Sequence, residues 1–203
     1  MIFDIIIPTT DKDLKTLETC ILQCKKNLNF NRIIIISKKK YTDLAEWFPE
    51  SNYPFNFNSI QNIIGDHWRT LILRNIDFFE NNKALYNISL AHHKPYFIHM
   101  EKLYPSLKRI SKSGITHHMI FQRNIMLDLF NRVESFHDDD FWKIFLYLVD
   151  ITQKSGASEY EIYFNFIQIF HKDKFKIRKL KWKNTKNRDL NKDLDYISCH
   201  SYL

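Results

Sequence analysis

Phe3-Asp4-Ile5-Ile6-Ile7-Pro8-Thr9-Thr10-Asp11, near the start of the chain, decides how it folds. The apolar run is short, rich in β-branched side chains and ended by a proline and polar residues, so it reads as a buried strand entering a polar loop. Leu14, Leu17, Ile21, Cys24 and Leu28 then recur at the spacing of an amphipathic helix. Arg32 to Ile36 is a second continuous apolar run. Two such strands joined by one helix make a βαβ unit, and hence a parallel sheet buried on both faces.

Ligands of parallel sheets bind beyond the carboxyl ends of the strands. Here those ends carry Pro8, Thr9, Thr10 and Asp11 after the first strand, and Ser37 to Lys40 after the second. The polar trio could hydrogen-bond a ribose or base, and the helix N-terminus favours a phosphate. Equally, Thr10 or Asp11 could only cap the helix. There is no GxGxxG and no GxxxxGK[ST], which argues against dinucleotide-binding and P-loop chemistry.

Farther on, Tyr41 to Phe48 reads as a short helix, and Thr70 to Leu73 and Ala84 to Ile88 as strands with Asn75 to Asn82 turning between them. Pro95 suits the first turn of a helix running to Tyr104. Ile125, Met126, Leu129, Phe130, Val133 and Phe136 mark another helix, and Phe141 to Ile151 a more apolar, more buried one. Phe175 to Trp182 reads as a basic strand, Lys183 to Asp193 as a loop, and Tyr196 to Leu203 as the end of the fold. The whole is one domain, 1–203, with a nucleotide-binding half at 1–90 and an acceptor-side half at 91–203.

Two phrases in the second half stand out: Ser113-Gly114-Ile115-Thr116-His117-His118-Met119 and Ser155-Gly156-Ala157-Ser158-Glu159-Tyr160-Glu161. Each puts one of only three glycines in a polar turn, followed by paired histidines or glutamates. Because glycine lets backbone approach a ligand closely, the two turns are expected to face one cleft. Ser158-x-x-Glu161 matches a capping box, which gives Glu161 a structural role. Glu159 has none, so it is the preferred functional carboxylate. Adjacent histidines do not chelate one metal, and there is no HxxxH or Cys/His finger spacing, so zinc is disfavoured.

The net charge of +7 suits an anionic partner. The basic run Lys172 to Lys183 is more often a solvated strand face than a nucleic-acid site, so nucleic acid is an unlikely partner. Cys20, Cys24 and Cys199 form no CxxC pair and read as free thiols of a reducing compartment, the cytoplasm. No apolar run approaches a membrane span. Low glycine with high Asn, Ile and Lys suggests an AT-rich genome, viral or microbial, and host cytoplasm in the viral case.

Several motifs together carry a resemblance: Asp4-Ile5-Ile6-Ile7-Pro8-Thr9-Thr10, Ala84-Leu85-Tyr86-Asn87, His93-Lys94-Pro95-Tyr96-Phe97, the two phrases above, and Asp195-Tyr196-Ile197-Ser198-Cys199-His200. On these the chain resembles a GT-A-type glycosyltransferase-like family found in bacteria and large DNA viruses. The resemblance implies an α/β nucleotide-diphospho-sugar transferase fold, with a mainly parallel central sheet and flanking helices, and transfer of a sugar from a nucleotide diphosphate to a glycan or protein hydroxyl. It also implies a divalent cation, Mn²⁺ or Mg²⁺. Glu159, or Glu161, would be the catalytic base; Pro8, Thr9, Thr10 and Asp11 would hold the donor. Gly114, His117, His118 and Gly156 would line the acceptor or phosphate side. The family's D-x-D strand is replaced by Gly65-Asp66-His67-Trp68-Arg69, a shortening that leaves Asp66 and His200 as metal candidates. The alternative is an inactive remnant that binds a nucleotide, glycan or protein. To close the gap, Ile60 to Ile64 or Leu71 to Leu73 is expected beside the first strand, with Asp66 near the strand ends.

Overall fold

The structure is a computed structural model, and it describes residues 2–53, 69–153, 155–185 and 193–199. Among them the chain is mixed α/β, and it divides into two compact units. One gathers Met1–Phe57, Asp66–Phe79 and Lys179–Leu203; the other gathers Asn58–Gly65 and Glu80–Arg178. The end of the chain therefore belongs with its beginning, and the division does not fall once, near residue 90.

The first unit contains β1 (Ile5–Pro8), α1 (Leu14–Asn27), β2 (Ile33–Ser37), β3 (Glu46–Pro49) and β4 (Arg69–Ile72). β1 and β2 pair in parallel, with Ile5 opposite Ile33 and Pro8 opposite Ile36, so the βαβ unit forms as the sequence predicts. β3 joins β2 in parallel, with Trp47 opposite Ile35. This replaces the helix expected over Tyr41 to Phe48. The aromatic pair Trp47-Phe48 favours a pleated strand, and Pro49 ends it.

The sheet is not buried on both faces. Successive side chains of a strand point to opposite faces, and here Ile33 and Ile35 are buried while Ile6 is 49% exposed. A continuous apolar run does not distinguish a two-sided core strand from one with an open face.

The β4 strand does not join β1. It pairs antiparallel with β9 (Tyr196–Cys199), which pairs in parallel with β8 (Trp182–Thr185). The Cys20 thiol donates to the Thr70 carbonyl at 3.2 Å and the Asn27 amide to the Ile72 carbonyl at 2.8 Å, fastening α1 along β4. Leu71 and Ile72 are buried, so the run is core, in a second sheet. Ile60 to Ile64 and Asp66 lie outside the described residues. The expected central parallel sheet is thus only partly realised: three strands are parallel, and a separate mixed sheet lies in the same unit.

The second unit holds β5 (Phe79–Glu80), within which the unit boundary falls, and β6 (Lys83–Tyr86) and β7 (Phe175–Ile177). β5 turns into β6 through Asn81 and Asn82 at φ 49° and 61°, the left-handed pair that a two-residue hairpin needs. β7 pairs in parallel with β6. The basic run 172–183 is therefore split between β7 and β8, in different sheets, and is not one strand face.

Among the described residues four helices complete this unit: α2 (Lys94–Leu103), α3 (Arg123–His137), α4 (Phe141–Leu148) and α5 (Glu159–Phe170). α5 is its axis, since every residue from Glu161 to Gln168 is buried. Such all-round burial marks a central helix. By contrast α4, expected to be the more buried helix, stops at Leu148 and buries only Ile144, with Tyr147 87% exposed. Its apolar composition serves one stripe, and the rest faces outward.

Candidate functional site

At the strand ends of the first unit, three of the four residues assigned to the donor have distinct fates. Thr10 donates from its backbone N–H and its hydroxyl to Asp13 Oδ2, both at 2.9 Å, so it caps the turn leading into α1. Asp11 is exposed, and Tyr41 donates to its Oδ1 at 2.6 Å while the Lys39 ammonium lies 3.5 Å away. The Tyr41 bond and the lysine charge hold the Asp11 carboxyl below its usual range, and the same bond pushes the Tyr41 phenol up to about 12. These contacts tie the loop after β1 to the loop after β2. Thr9 is buried at 3% exposure, yet its hydroxyl oxygen meets no hydrogen-bond partner among the described residues. Buried polar groups are nearly always satisfied, so such an orphan calls for an explanation. Pro8 closes β1 opposite Ile36.

In the second unit the two phrases meet on α5. Glu161 is 1% exposed. Burial raises its carboxyl pKa, against bonds from the Ser113 hydroxyl, the Gly114 N–H and the Asn165 amide and the nearby Arg109 charge, all of which pull it down. The Asn165 amide donates to Glu161 Oε2 at 3.2 Å, and its oxygen accepts from the Ile110 N–H at 2.9 Å. One turn on, Gln168 Oε1 accepts from the Ser111 hydroxyl at 3.1 Å. Glu161, Asn165 and Gln168 are thus one buried polar stripe that fastens the extended segment 110–114 to the helix. The Ser158 hydroxyl also accepts from the Glu161 N–H at 3.3 Å, as the capping box predicts. Glu161 is therefore committed to structure and is not free to act as a base.

Gly114 is part of the same joint. A Cβ there would sit 2.5 Å from the Phe164 Cβ, so the residue is glycine because α5 presses against it. The two turns converge on α5 and do not face one cleft: Gly156, but not Gly114, lines the cleft described below. Nor does glycine supply the left-handed backbone. His117 (φ 66°) and Ser155 (φ 56°) do, and histidine is among the side chains that tolerate it. His118 is half-buried; burial, then the charges of Arg178 and His117, push its imidazole down to about 3, so it is neutral at pH 7. Downstream, Tyr163 accepts from the Gln122 N–H at 2.8 Å and Tyr86 donates to the Ile120 carbonyl at 2.8 Å, which pins the remainder of the phrase.

Glu159 stands apart from this network. It is the first residue of α5 and is exposed to solvent. Surrounding protein raises its carboxyl pKa. Beside it, the Tyr96 hydroxyl takes a hydrogen bond from the Ser155 side chain and feels the Glu159 charge. His93 packs edge-on against Tyr96 with ring centroids 4.5 Å apart, and its Nε2 lies 3.1 Å from the Ser155 carbonyl. The start of α5 therefore gathers Glu159, Tyr96, Ser155 and His93. Tyr96 and His93 were not among the assigned site residues, although the His93-Lys94-Pro95-Tyr96-Phe97 motif had flagged their segment.

Asp66 and His200, the metal candidates, lie outside the described residues. Among the described residues no three His, Cys, Asp or Glu side chains gather to hold a metal ion. No helix among them is long and apolar enough to cross a membrane. A scan against protein-family models finds no match for the chain, and a search of curated proteins finds none either.

Proposed function

We propose that the chain is a glycosyltransferase-like protein that holds a nucleoside diphosphate sugar at the ends of β1 and β2 and passes the sugar to an acceptor hydroxyl. The observation that carries this reading is the Thr9 hydroxyl: buried, unpartnered, and set where a parallel βαβ unit receives its ligand. A ribose or base would supply the missing partner. Asp11, exposed and already ionised, is placed to accept from ribose hydroxyls. Glu159 is the base that takes the proton from the acceptor hydroxyl; such help contributes roughly 10²–10⁴ in rate. The neutral imidazole of His118 and the left-handed turn at His117 belong to the acceptor side. When bound, a divalent cation would neutralise the departing diphosphate. The described donor set does not suit one, since the Asp11 carboxylate faces the Lys39 ammonium.

Calorimetry with nucleoside diphosphates, with and without Mn²⁺, tests the reading. Binding is expected, and Thr9→Val should weaken it about two- to tenfold, the worth of one hydrogen bond. The same substitution should leave folding unharmed, because the hydroxyl has no partner in the free protein. Metal-dependent binding with sugar transfer abolished by Glu159→Gln supports the enzyme. Metal-independent binding without transfer supports a remnant that only binds. No binding by any nucleotide overturns both.

A further inference from the structure

A cleft of about 310 Å³ lies within the second unit, between one face of α2 and the segment from Leu148 to Gly156. That volume is at the small end of ligand sites, roughly 300–1,000 Å³. We propose that it binds a small polyol carrying one anionic group, a phosphate or a carboxylate. The inference goes beyond the nucleotide reading and does not depend on it.

Three features of α2 carry the proposal. Lys94 and Lys102 both line the cleft, both are exposed, and neither is paired with a carboxylate among the described residues. Eight residues apart, they stand about 12 Å from each other along the helix, at about 1.5 Å per residue. Between them His99 also lines the cleft and is only 2% exposed. Its Nε2 lies 2.9 Å from the Phe145 carbonyl. A carbonyl can only accept, so Nε2 carries the proton and Nδ1 is left as a bare acceptor. Nδ1 is buried and has no partner among the described residues. The ligand that satisfies it must bring a donor, which a hydroxyl does and an isolated phosphate or carboxylate does not.

The anion end is set by the lysines. Lys102 is one turn from His99, close enough for its charge to help lower the imidazole pKa. Opposite, Asp150 lines the cleft too, but its Oδ1 is held by the Thr152 N–H at 3.0 Å and the Thr152 hydroxyl at 2.6 Å. The Lys102 charge acts on this carboxylate, which can accept a ligand hydroxyl. The apolar lining is aliphatic, from Pro95, Ile98 and Leu148, and among the described residues no Phe, Tyr or Trp lines the cleft. A nucleobase therefore has no ring to stack on. A pyranose-sized body with hydroxyls toward His99 and Asp150, and its anion toward the lysines, matches each wall.

Calorimetry on the full chain with glucose 6-phosphate, glucuronate, glucose and inorganic phosphate, at low salt, tests this. At least one of the two charged sugars should bind at least about tenfold more tightly than glucose and than inorganic phosphate. Which of the two binds names the anion. The Lys94→Ala/Lys102→Ala protein should lose about tenfold for that probe, both side chains being exposed and dispensable for folding. Ile98→Trp, at a position 44% exposed, fills the cleft from its rim and should abolish binding while leaving nucleoside diphosphate binding unchanged. Glucose or phosphate binding as tightly as the charged sugars, no binding by any of the four, or undiminished binding in Ile98→Trp overturns the proposal.

Discussion

Ser113-Gly114 and Ser155-Gly156 are the same dipeptide in the same unit; the first packs against α5 and the second leads into it. At the first, Ser113 is fully buried and Gly114 lies against Phe164, with a prospective Cβ 2.5 Å from that side chain's own Cβ. At the second, the prospective Cβ of Gly156 meets the Asp150 carbonyl at 2.7 Å and Val149 Cγ1 at 2.9 Å, and the residue lines an open cleft. Glycine marks a close approach of backbone in both cases. What approaches is a core helix in one turn and a neighbouring loop in the other, and only the second leaves room for a ligand.

The largest effect should therefore follow from giving Gly114 a side chain. Gly114→Val forces its Cβ and γ carbons into the base of Phe164, where neither the segment nor the helix has space to withdraw. A cost of about 3 kcal/mol or more is expected, the upper end for overpacking. Gly156→Ala should cost about 1–2 kcal/mol, because Asp150 belongs to a surface loop that can shift. Urea unfolding compares the two. Equal midpoints for both proteins would end the distinction between a buried and an open turn.

Next in size is the polar stripe. Glu161→Ala leaves the Ser113 hydroxyl, the Gly114 N–H and one proton of Asn165 without their acceptor, and should cost about 2–3 kcal/mol. It should also change the pH profile. Burial raises the Glu161 pKa in the folded chain, so the native state holds this proton more tightly than the unfolded one. The group's contribution is then full below the unfolded glutamate pKa and declines as pH rises through the folded value. Wild-type stability should fall across that mildly acidic window, and Glu161→Ala should lack that part of the fall. A mutant profile parallel to the wild type would mean the carboxyl is not buried as described.

The βαβ unit, α2, α3 and the Ser158 half of the capping box were legible in the sequence because each rests on local signals: periodicity, a proline at a helix start, a serine three residues before a glutamate. Pairing partners were not. Nothing in Thr70 to Leu73 says that β4 pairs with residues 196–199, far along the chain, in place of β1. Trp47 and Phe48 read as helical by spacing, yet a neighbouring strand edge recruits them. At the site, the capping pattern gives Glu161 a structural place, but its carboxyl is held by Ser113, Gly114 and Asn165, far from the local cap the pattern suggests. Thr9 did not separate from Thr10, because only coordinates reveal that one hydroxyl is bonded to Asp13 and the other to nothing. His99, inside a helix of unremarkable sequence, carried no signal beyond its position one turn before Lys102.

The smallest effect, and the one that most sharpens the contrast between the two carboxylates, belongs to Glu159→Gln. Its side chain is exposed, and its structural role is the interaction of a negative charge with the amino end of α5, typically worth about 0.3–1 kcal/mol. Glutamine keeps the size and removes the charge, so a loss of about 0.5 kcal/mol or less is expected in urea unfolding. Two residues along, Glu161→Ala should cost several times more. With stability nearly intact, any loss of sugar transfer in Glu159→Gln reports on chemistry and not on folding. A loss of stability above about 1.5 kcal/mol would place Glu159 in the structural network with Glu161. The assignment of Glu159 as the acceptor base would then have to be withdrawn, whatever the turnover measurements gave.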